Sequence, residues 1–452
     1  MSELHRLGVA EAAKGIRDGQ VSSTDLAQAL LERIETFDSE LQAWVTVDRE
    51  DVLSEARRRD EERDAGDIKG PLHGVPVGLK DIFYTEGMKT TACSPIYEDF
   101  VPDYDATCVA MLKEAGAIVL GKAVTTEFAS GDPSRTRNPW NPSHTPGGSS
   151  SGSAVAVAVG MCSAALGSQT GGSTGRPAAY NGIVGLKPTY GRISCYGVVP
   201  LSWSLDTVGI LTRSVEDAAI MLQVMAGYDR NDPGSYDAPV PDYLAEMDSM
   251  SRAPRIGLVR EFFFDHSSPE VREHTEGVAR RLVEAGAEVV EIGLPDTFDS
   301  AHDCQRVVSS VESATVHEPN FAERPDDYGP RIRASIEAGM QTPAAKYAHA
   351  MRMRGRFRAD LVEMLHGVDV ALTPATPEPA PGDLSTTGDP AFQSPWTSAG
   401  LPAIVIPSGI SESGLPVAVQ LASAPWQEGK LLGVARWCED VLESSLWPPA
   451  YS

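Results

Sequence analysis

Two Gly-Gly-Ser triplets, at 147–149 and 171–173, frame a run of small apolar residues from Ala154 to Leu166. Because glycine has no Cβ, the backbone at each triplet can adopt positive φ and approach a ligand closely. Successive N–H groups in such a turn can converge on one negative oxygen, and a serine at its end is placed like an acyl-transfer nucleophile. A single triplet is more typical of a surface loop. Two triplets around a buried segment favour chemistry.

An activated serine needs a base, and one source would be a histidine. Residues 148–152 and 171–175 both match G-x-S-x-G, the pattern of Ser-His-Asp hydrolases. The downstream histidines lie in polar or helical stretches, and no turn signal singles one out. They are His266, His274, His302, His317, His349 and His366.

Lys80 is the stronger candidate for the base. It follows the apolar run Val75–Leu79, so we expect it to emerge from a buried strand. Desolvation there would lower the pKa of its amino group, which could then accept a proton near neutral pH. Most lysines are solvated surface residues, and the position of Lys80 after a buried run argues against that interpretation.

Longer motifs surround these residues. GPLHGVPVGLKD contains Lys80, NPWNPSHTPGGSSSGSA contains Ser149, and GSQTGGSTGRPAAYNGIVGLKPTYGRISCYG contains Ser173. Together with PWTSAGLPAIVIPSG and GLPVAVQL nearer the end of the chain, they closely resemble the amidase signature family. The resemblance runs from about residue 21 to the end and is weakest between residues 229 and 368.

The resemblance implies a Ser-Ser-Lys triad. Ser173 would be the nucleophile, Lys80 the base, and Ser149, entered through a cis peptide bond from Gly148, the bridge between them. The oxyanion hole would be built from the backbone N–H groups of Thr170, Gly171, Gly172 and Ser173. This chemistry needs no metal and no organic cofactor.

The segment after the nucleophile departs from a common family pattern. Many members have D-T-G-G-S-I-R, whereas here Gln169 precedes the triplet and Arg176 stands three residues after Ser173. Other members share this Q-T-G-G-S-x-x-R-P-A form, including relatives of malonamidase. Arg176 would either contact a substrate carboxylate or brace the loop through backbone carbonyls. The resemblance also implies aromatic walls around the site, supplied by Phe128, Trp203 and Trp396.

The composition excludes several classes of partner. The chain has 63 acidic and 38 basic residues, a net charge of −25, so we expect no nucleic-acid partner and no anionic membrane partner. The apolar run 154–166 is too short to span a bilayer, and the N-terminus lacks the apolar core of a signal peptide. The six cysteines are scattered without metal-ligand spacing, which indicates reduced thiols in a cytoplasmic protein.

The periodicity predicts an α/β fold, with a large mixed β-sheet flanked by helices on both faces. Residues 1–65 are expected to form an N-terminal helical segment, and residues 66–452 the core, with a variable helical excursion at about 229–368. A capping box at 22–25 and a buried helix leading into a strand at 154–166 belong to this scheme. The alternating arginines at 352, 354, 356 and 358 predict a solvated helix surface.

These observations predict an amide-bond hydrolase for small-molecule carboxylic amides, acting as a monomer or homodimer. Esters, anilides and carbamates are possible further substrates. One alternative is an A-type component of an amidotransferase that releases ammonia from glutamine and works with partner proteins. The other is a His-dependent α/β-hydrolase.

Overall fold

The computed structural model describes residues 3–250, 252–443 and 445–452. An eleven-stranded mixed sheet crosses the molecule. Its strands are β1 (Trp44–Thr46), β2 (Pro76–Lys80), β3 (Ile118–Ala123), β4 (Ala164–Gln169), β5 (Val184–Lys187), β6 (Thr207–Thr212), β7 (Arg255–Leu258), β8 (Glu288–Glu291), β9 (Val370–Pro374), β10 (Ala403–Ile410) and β11 (Pro416–Ala422).

Fourteen α-helices are found among the described residues. They are α1 (Val9–Arg17), α2 (Ser23–Leu41), α3 (Arg49–Asp64), α4 (Thr107–Glu114), α5 (Ser151–Ala158), α6 (Gly175–Asn181), α7 (Val215–Met225), α8 (Tyr243–Asp248), α9 (Pro269–Glu284), α10 (Ala301–Glu323), α11 (Pro330–Met340), α12 (Ala344–Met364), α13 (Ser394–Ser398) and α14 (Glu428–Leu442). None of these described helices has both the length and the apolarity needed to cross a membrane.

The strand order is β1-β3-β2-β4-β6-β5-β10-β11-β9-β7-β8. Strand β2 runs parallel to both β3 and β4, and β7 runs parallel to β8 and β9, whereas the other pairs are antiparallel. Because β2 and β4 are parallel neighbours, their carboxyl ends lie side by side. Lys80 ends β2 and Gln169 ends β4 at this edge.

Helices cover both faces of the sheet, as the sequence predicts. Leu166 and Ile210 belong to one apolar cluster, which includes residues of α7 and α14. The preceding and following residues, Ala165 and Leu211, belong to a second cluster with α5 and α6. Because side chains alternate along each strand, the central strands are buried on both faces.

Several predicted elements are confirmed. The side chain of Ser22 caps α2 by accepting from the N–H of Asp25, and the run 154–166 forms the end of α5 and the start of β4. The N-terminal segment is not wholly helical, because β1 pairs with β3 at the sheet edge. The first part of the predicted helical excursion, residues 229–253, includes α8, whose Tyr243 is fully buried.

The arginines of α12 divide into two faces. Arg352 and Arg356 are exposed, as predicted. Arg354 instead donates to the carbonyl oxygens of Ser398 and Ser204, at 2.8 and 2.9 Å. Arg358 donates to the carbonyl oxygen of Ala399 at 3.2 Å. The expectation of a fully solvated surface was wrong for this second pair, because residues four apart share a helix face and this face packs on the core.

Candidate active site

Strand β2 is buried throughout and delivers Lys80 to the centre of the molecule. The Lys80 side chain is completely buried, and its Nζ lies 2.8 Å from Ser149 Oγ and 2.8 Å from Ser168 Oγ. Burial lowers the pKa of Lys80 to about 7, against an opposing attraction from Asp206. A large fraction of the amine is therefore neutral near pH 7 and able to accept a proton from a hydroxyl at this distance.

Ser149 sits immediately before α5, in a loop that the surrounding backbone holds in place. The Gly148–Ser149 peptide bond is cis, as the family resemblance implies, and Gly147 has a φ of +77°. The Ser149 carbonyl oxygen accepts from the N–H of Thr126 at 3.1 Å, and Ser151 Oγ donates to the Gly147 carbonyl at 2.7 Å. Ser149 is fully buried and reaches Lys80 without solvent between them.

Ser173 lies in the loop between β4 and α6, and Gln169 organises this loop from within. The Gln169 Oε1 accepts from the N–H groups of Thr174 and Gly175, both at 2.9 Å. Its Nε2 donates to Thr397 Oγ1 at 2.9 Å, and that hydroxyl donates to the Gly171 carbonyl at 2.8 Å. The sequence draws attention to Gln169 only as a departure from a pattern, whereas the structure makes it the scaffold of the loop.

The N–H groups of Gly171, Gly172 and Ser173 donate to no acceptor among the described residues. These residues line the pocket together with Thr170. A Cβ at Gly172 would lie 2.7 Å from Gln393 Oε1, which explains why the turn needs glycine there. Unpaired N–H groups that face a pocket are the donors that an oxyanion hole requires.

The pocket above this loop has a volume of about 620 Å³. Residues 170–173 line this pocket, and we call them the pocket floor. Side chains of α10 and α11 and the loop 387–394 form what we call the pocket wall, with Arg306 and Arg331 among them. The volume suits a small molecule.

Comparison with known proteins assigns the family. The Amidase family model matches residues 25–432. The chain belongs to the amidase signature family. The A component of glutamyl-tRNA(Gln) amidotransferase from Geobacter sp. strain M21 is 38% identical over 96% of this chain and 96% of its own length.

Solved structures of the family share the fold along nearly the whole chain. The native peptide amidase from Stenotrophomonas maltophilia is 34% identical, with a TM-score of 0.88 over 98% of each chain. A chain from a vestigial protein complex, solved in work on the evolutionary origins of an s-triazine catabolic enzyme, is 32% identical. Its TM-score is 0.90 over 96% of this chain and 98% of its own. The predicted amidase signature fold is confirmed.

Within this amidase-family site, Arg176 makes the contacts of a brace. Its Nη1 donates to the Gly388 carbonyl at 2.8 Å, and its Nη2 donates to the Gly148 carbonyl at 2.6 Å and to Thr387 Oγ1 at 3.1 Å. The side chain is buried, and burial lowers its pKa to about 10, so it stays charged at neutral pH. Of the two roles left open by the sequence, the hydrogen bonds favour bracing.

The expectation that Phe128, Trp203 and Trp396 form the walls of the pocket was wrong. Phe128 and Trp396 are each only 1% exposed and pack in the core, and Trp203 is on the surface. Phe128 packs against His317 instead, with ring centroids 4.5 Å apart. The aromatic rings that do line the pocket come from Phe262, His266 and His302.

The pocket histidines are bound to backbone rather than to the predicted nucleophile. His302 Nε2 lies 2.9 Å from the Ala391 carbonyl, and His266 Nδ1 lies 2.8 Å from the Phe262 carbonyl. Neither ring hydrogen-bonds to Ser173 within the described part of the chain. This geometry weighs against the His-dependent alternative. The described residues also contain no group of three or more His, Cys, Asp or Glu side chains placed to hold a metal ion.

Two acids near the site, the half-buried Asp206 and the fully buried Glu312, are not indicated by the sequence. Asp206, at the end of the loop that precedes β6, accepts a hydrogen bond from the Thr170 hydroxyl. Glu312 of α10 is fully buried and accepts from the hydroxyls of Ser202 and Ser204, each at 2.6 Å. Both lie outside the family motifs, and an acid within SWSLD or within a helix carries no local signal of burial.

Proposed function

We propose that the chain is an amide-bond hydrolase that acts on small-molecule carboxylic amides. The observation that carries the proposal is the buried Lys80 Nζ, 2.8 Å from Ser149 Oγ, beside a pocket floor whose Gly171, Gly172 and Ser173 N–H groups have no acceptor among the described residues. A lysine with a pKa of about 7 beside a serine supplies the base that a hydroxyl nucleophile needs.

The reaction begins with proton transfer. Neutral Lys80 takes a proton from Ser149, which takes the proton of Ser173 as Ser173 Oγ attacks the carbonyl carbon. The N–H groups of residues 170–173 stabilise the negative oxygen of the tetrahedral intermediate. Protonated Lys80 returns its proton through Ser149 to the leaving nitrogen, and the C–N bond breaks. The acyl group then remains bound to Ser173 Oγ.

The second half of the reaction uses the same path. Water gives a proton through Ser149 to Lys80 as its oxygen attacks the acyl group. Protonated Lys80 then returns this proton through Ser149 to Ser173 Oγ, which leaves as the carboxylic acid is released. Because the chemistry requires a carbonyl and a leaving atom that accepts a proton, esters, anilides and carbamates are further candidate substrates. No cofactor enters any step, and the substrate is the only partner that a monomer or homodimer would require.

A second candidate follows from the curated relatives. The 38% identity to the A component of an amidotransferase favours a chain that releases ammonia from glutamine and works with partner proteins. The same pocket floor serves both reactions, since glutamine is itself an amide. The two candidates therefore differ in substrate and in dependence on partners rather than in the acyl-transfer chemistry.

The test combines covalent labelling with a substrate panel. A fluorophosphonate should label Ser173, located by mass spectrometry, and Ser173→Ala should abolish labelling. Ser309→Ala, which removes a hydroxyl from the pocket wall, is the matched control and should be labelled normally. Labelling of Ser150 or Ser151 with Ser173 untouched would overturn the assignment.

The panel should contain simple amides, anilides, carbamates, esters, monoamides of dicarboxylic acids, and glutamine. Turnover of small amides by the isolated chain supports the hydrolase. Ammonia release from glutamine alone, with every other amide inert, supports the amidotransferase alternative.

A further inference from the structure

Asp206 is an acid beside the proposed catalytic groups that the reaction scheme above does not use. Its Oδ1 accepts from the Thr170 hydroxyl, and Thr170 belongs to the pocket floor. Its Oδ2 accepts from the N–H groups of Leu201 and Ser202, at 2.8 and 2.9 Å. The carboxylate thus joins the loop 200–206 to the oxyanion loop, with both oxygens engaged.

Asp206 holds one side of Thr170 while α10 holds the other. The Thr170 carbonyl oxygen accepts from Gln305 Nε2 at 2.8 Å. One contact holds the Thr170 side chain and the other holds the Thr170–Gly171 peptide group, whose N–H has no acceptor among the described residues. Loss of the Asp206 contact would free one side of this loop, where small displacements change oxyanion stabilisation steeply.

Asp206 is also near enough to Lys80 for its charge to act on the amine, and Ser168 is close to both. Ser168, the second hydrogen-bond partner of Lys80, lines a cavity of about 10 Å³ that Asp206 and Thr170 line as well. A space of this size holds at most about one water molecule. The two charges are therefore separated by protein rather than by bulk solvent, so their attraction is weakly screened.

Few other charged groups act on this pair. Cys93 is the other titratable group that bears on Lys80, and burial raises the pKa of its thiol to about 12, so it is neutral. Glu312 and the neutral thiol of Cys195 face Asp206. Burial raises the pKa of Asp206 to about 6, so at pH 7 its carboxyl group is mainly ionised.

We propose that Asp206 is a positioning residue for the hydrolase: it fixes Thr170 of the oxyanion loop and places a negative charge against Lys80. The inference rests on the proposed function, because it assigns Asp206 an effect on that reaction's base. Asp206 itself touches neither the substrate nor the reacting atoms. A purely structural role, closing the turn at 201–206, would predict lower stability and no change in the ionisation of Lys80.

The experiment measures the rate of fluorophosphonate labelling of Ser173 against pH, which requires no knowledge of the substrate. For Asp206→Asn we expect the acid limb of this profile to move down by about 1 pH unit, because loss of the negative charge makes Lys80 easier to deprotonate. The plateau rate should fall at least tenfold, because the single oxygen of asparagine cannot accept both from the Thr170 hydroxyl and from the N–H groups of Leu201 and Ser202. Asp206→Glu keeps the charge, so its acid limb should stay at the wild-type pH.

Two further variants separate the parts of the inference. Thr170→Val removes the hydroxyl but keeps the charge, so its plateau should fall with the acid limb unmoved. Glu312→Gln removes a carboxylate of the same region that bonds to Ser202 and Ser204, and its acid limb should also stay in place.

An unmoved acid limb in folded Asp206→Asn would overturn the electrostatic part, and a wild-type plateau in Thr170→Val would overturn the positioning part. If Asp206→Asn fails to fold, the plateau rates of Asp206→Glu and Thr170→Val test the proposal instead. Wild-type plateau rates in both variants would reject the proposal. Lowered plateau rates would support the positioning of Thr170. Absence of Ser173 labelling in the wild-type chain would instead reject the proposed function itself.

Discussion

The pocket floor and the pocket wall follow different physical rules. The floor residues are largely buried, and the side chains around them have fixed partners: Lys80 binds two serines, Gln169 binds two N–H groups, and Arg176 binds two carbonyls. Part of the wall is exposed: the Arg306 side chain is 76% exposed, and its ion-pair partner among the described residues is the 77% exposed Asp303. Such a pair contributes little to stability. The floor is therefore constrained by the chemistry, whereas the wall is free to vary with the substrate.

The pocket wall also differs from the rest of the molecule in charge. The chain carries a net charge of −25, yet the wall presents Arg306 and Arg331 to the pocket, with Asp389 as the one acid among the described lining residues. A local excess of positive charge in an acidic protein attracts anionic ligands. Variants of the floor should therefore lose activity towards every substrate, whereas variants of the wall should lose activity mainly towards anionic substrates and by smaller factors.

The largest effect is expected from the floor at Ser173. Ser173→Ala should lower kcat by roughly six orders of magnitude if the triad acts as a unit, with an unchanged melting temperature. Steady-state kinetics on the best amide of the panel, with a melting curve, measures both. Activity within a hundredfold of wild type would remove Ser173 from the mechanism.

Two buried lysines on adjacent strands allow a matched test of the base. Burial lowers the pKa of Lys122 in β3 to about 7, as for Lys80, but Lys122 donates to the Phe83 carbonyl and Thr90 Oγ1 instead of the serines. We expect Lys80→Met to lower kcat at least a thousandfold and Lys122→Met less than tenfold. Wild-type activity should fall as the pH drops through about 7, where Lys80 becomes protonated. Equal losses in the two variants would argue against a specific role for Lys80.

Burial of the Lys80 amine should lower the stability of the fold, although the same burial prepares the amine to act as a base. Its pKa is 10.5 in an unfolded chain and about 7 in the fold, so between these values the unfolded chain binds more protons. The cost of burying Lys80 is therefore complete below pH 7 and disappears as the pH rises towards 10.5. We expect Lys80→Met to melt at a higher temperature than wild type at pH 7, with the difference shrinking by pH 10. A difference that grows with pH would contradict this account.

Arg176 tests whether a residue at the edge of the floor acts as a brace. Arg176→Lys loses the forked contact to Gly388, Gly148 and Thr387, so the free energy of unfolding should fall by about 2–3 kcal/mol. Since the loop serves every substrate, kcat/KM should fall by the same factor for neutral amides and for monoamides of dicarboxylic acids. A loss confined to the anionic substrates would restore the carboxylate-binding role.

The smallest effect is expected in the wall. Arg331→Gln should lower kcat/KM two- to fivefold for anionic amides, leave neutral amides unchanged, and lose its effect at high salt. Arg352→Gln, an exposed arginine of α12 that does not line the pocket, is the control and should change neither. An equal loss for both substrate classes would show that Arg331 supports the wall rather than attracts the substrate.

The same division explains what the sequence could predict. Lys80, Ser149 and Ser173 could be proposed from the sequence because each lies at or near the end of a buried element within a motif, so local pattern and burial coincide. The alternation of strand-like and helix-like segments along the chain likewise predicted a sheet covered by helices on both faces. These are properties of short segments, which a sequence displays directly.

The contributions that depend on distant contacts were missed. Gln169, Asp206 and Glu312 act through partners in other elements, and their neighbours in sequence do not reveal burial. Phe128 was assigned to the pocket, but its backbone has a φ of +47° and its ring packs among core residues instead. Helix periodicity predicted α10 to α12 without saying which side chains reach the pocket, because their placement depends on packing over long distances in the chain.

Glu312 limits how freely the helices of the wall could be exchanged between relatives. It stands on α10, yet it serves the loop before β6, where it accepts from Ser202, Ser204 and, from α12, the hydroxyl of Tyr347 at 2.8 Å. A chimaera that imports α10 to α12 from another member would leave the two serines of the host loop without their acceptor. Chimaeras between family members should therefore fold when the loop 200–206 is exchanged together with α10 to α12. Chimaeras that exchange the helices alone should be less stable.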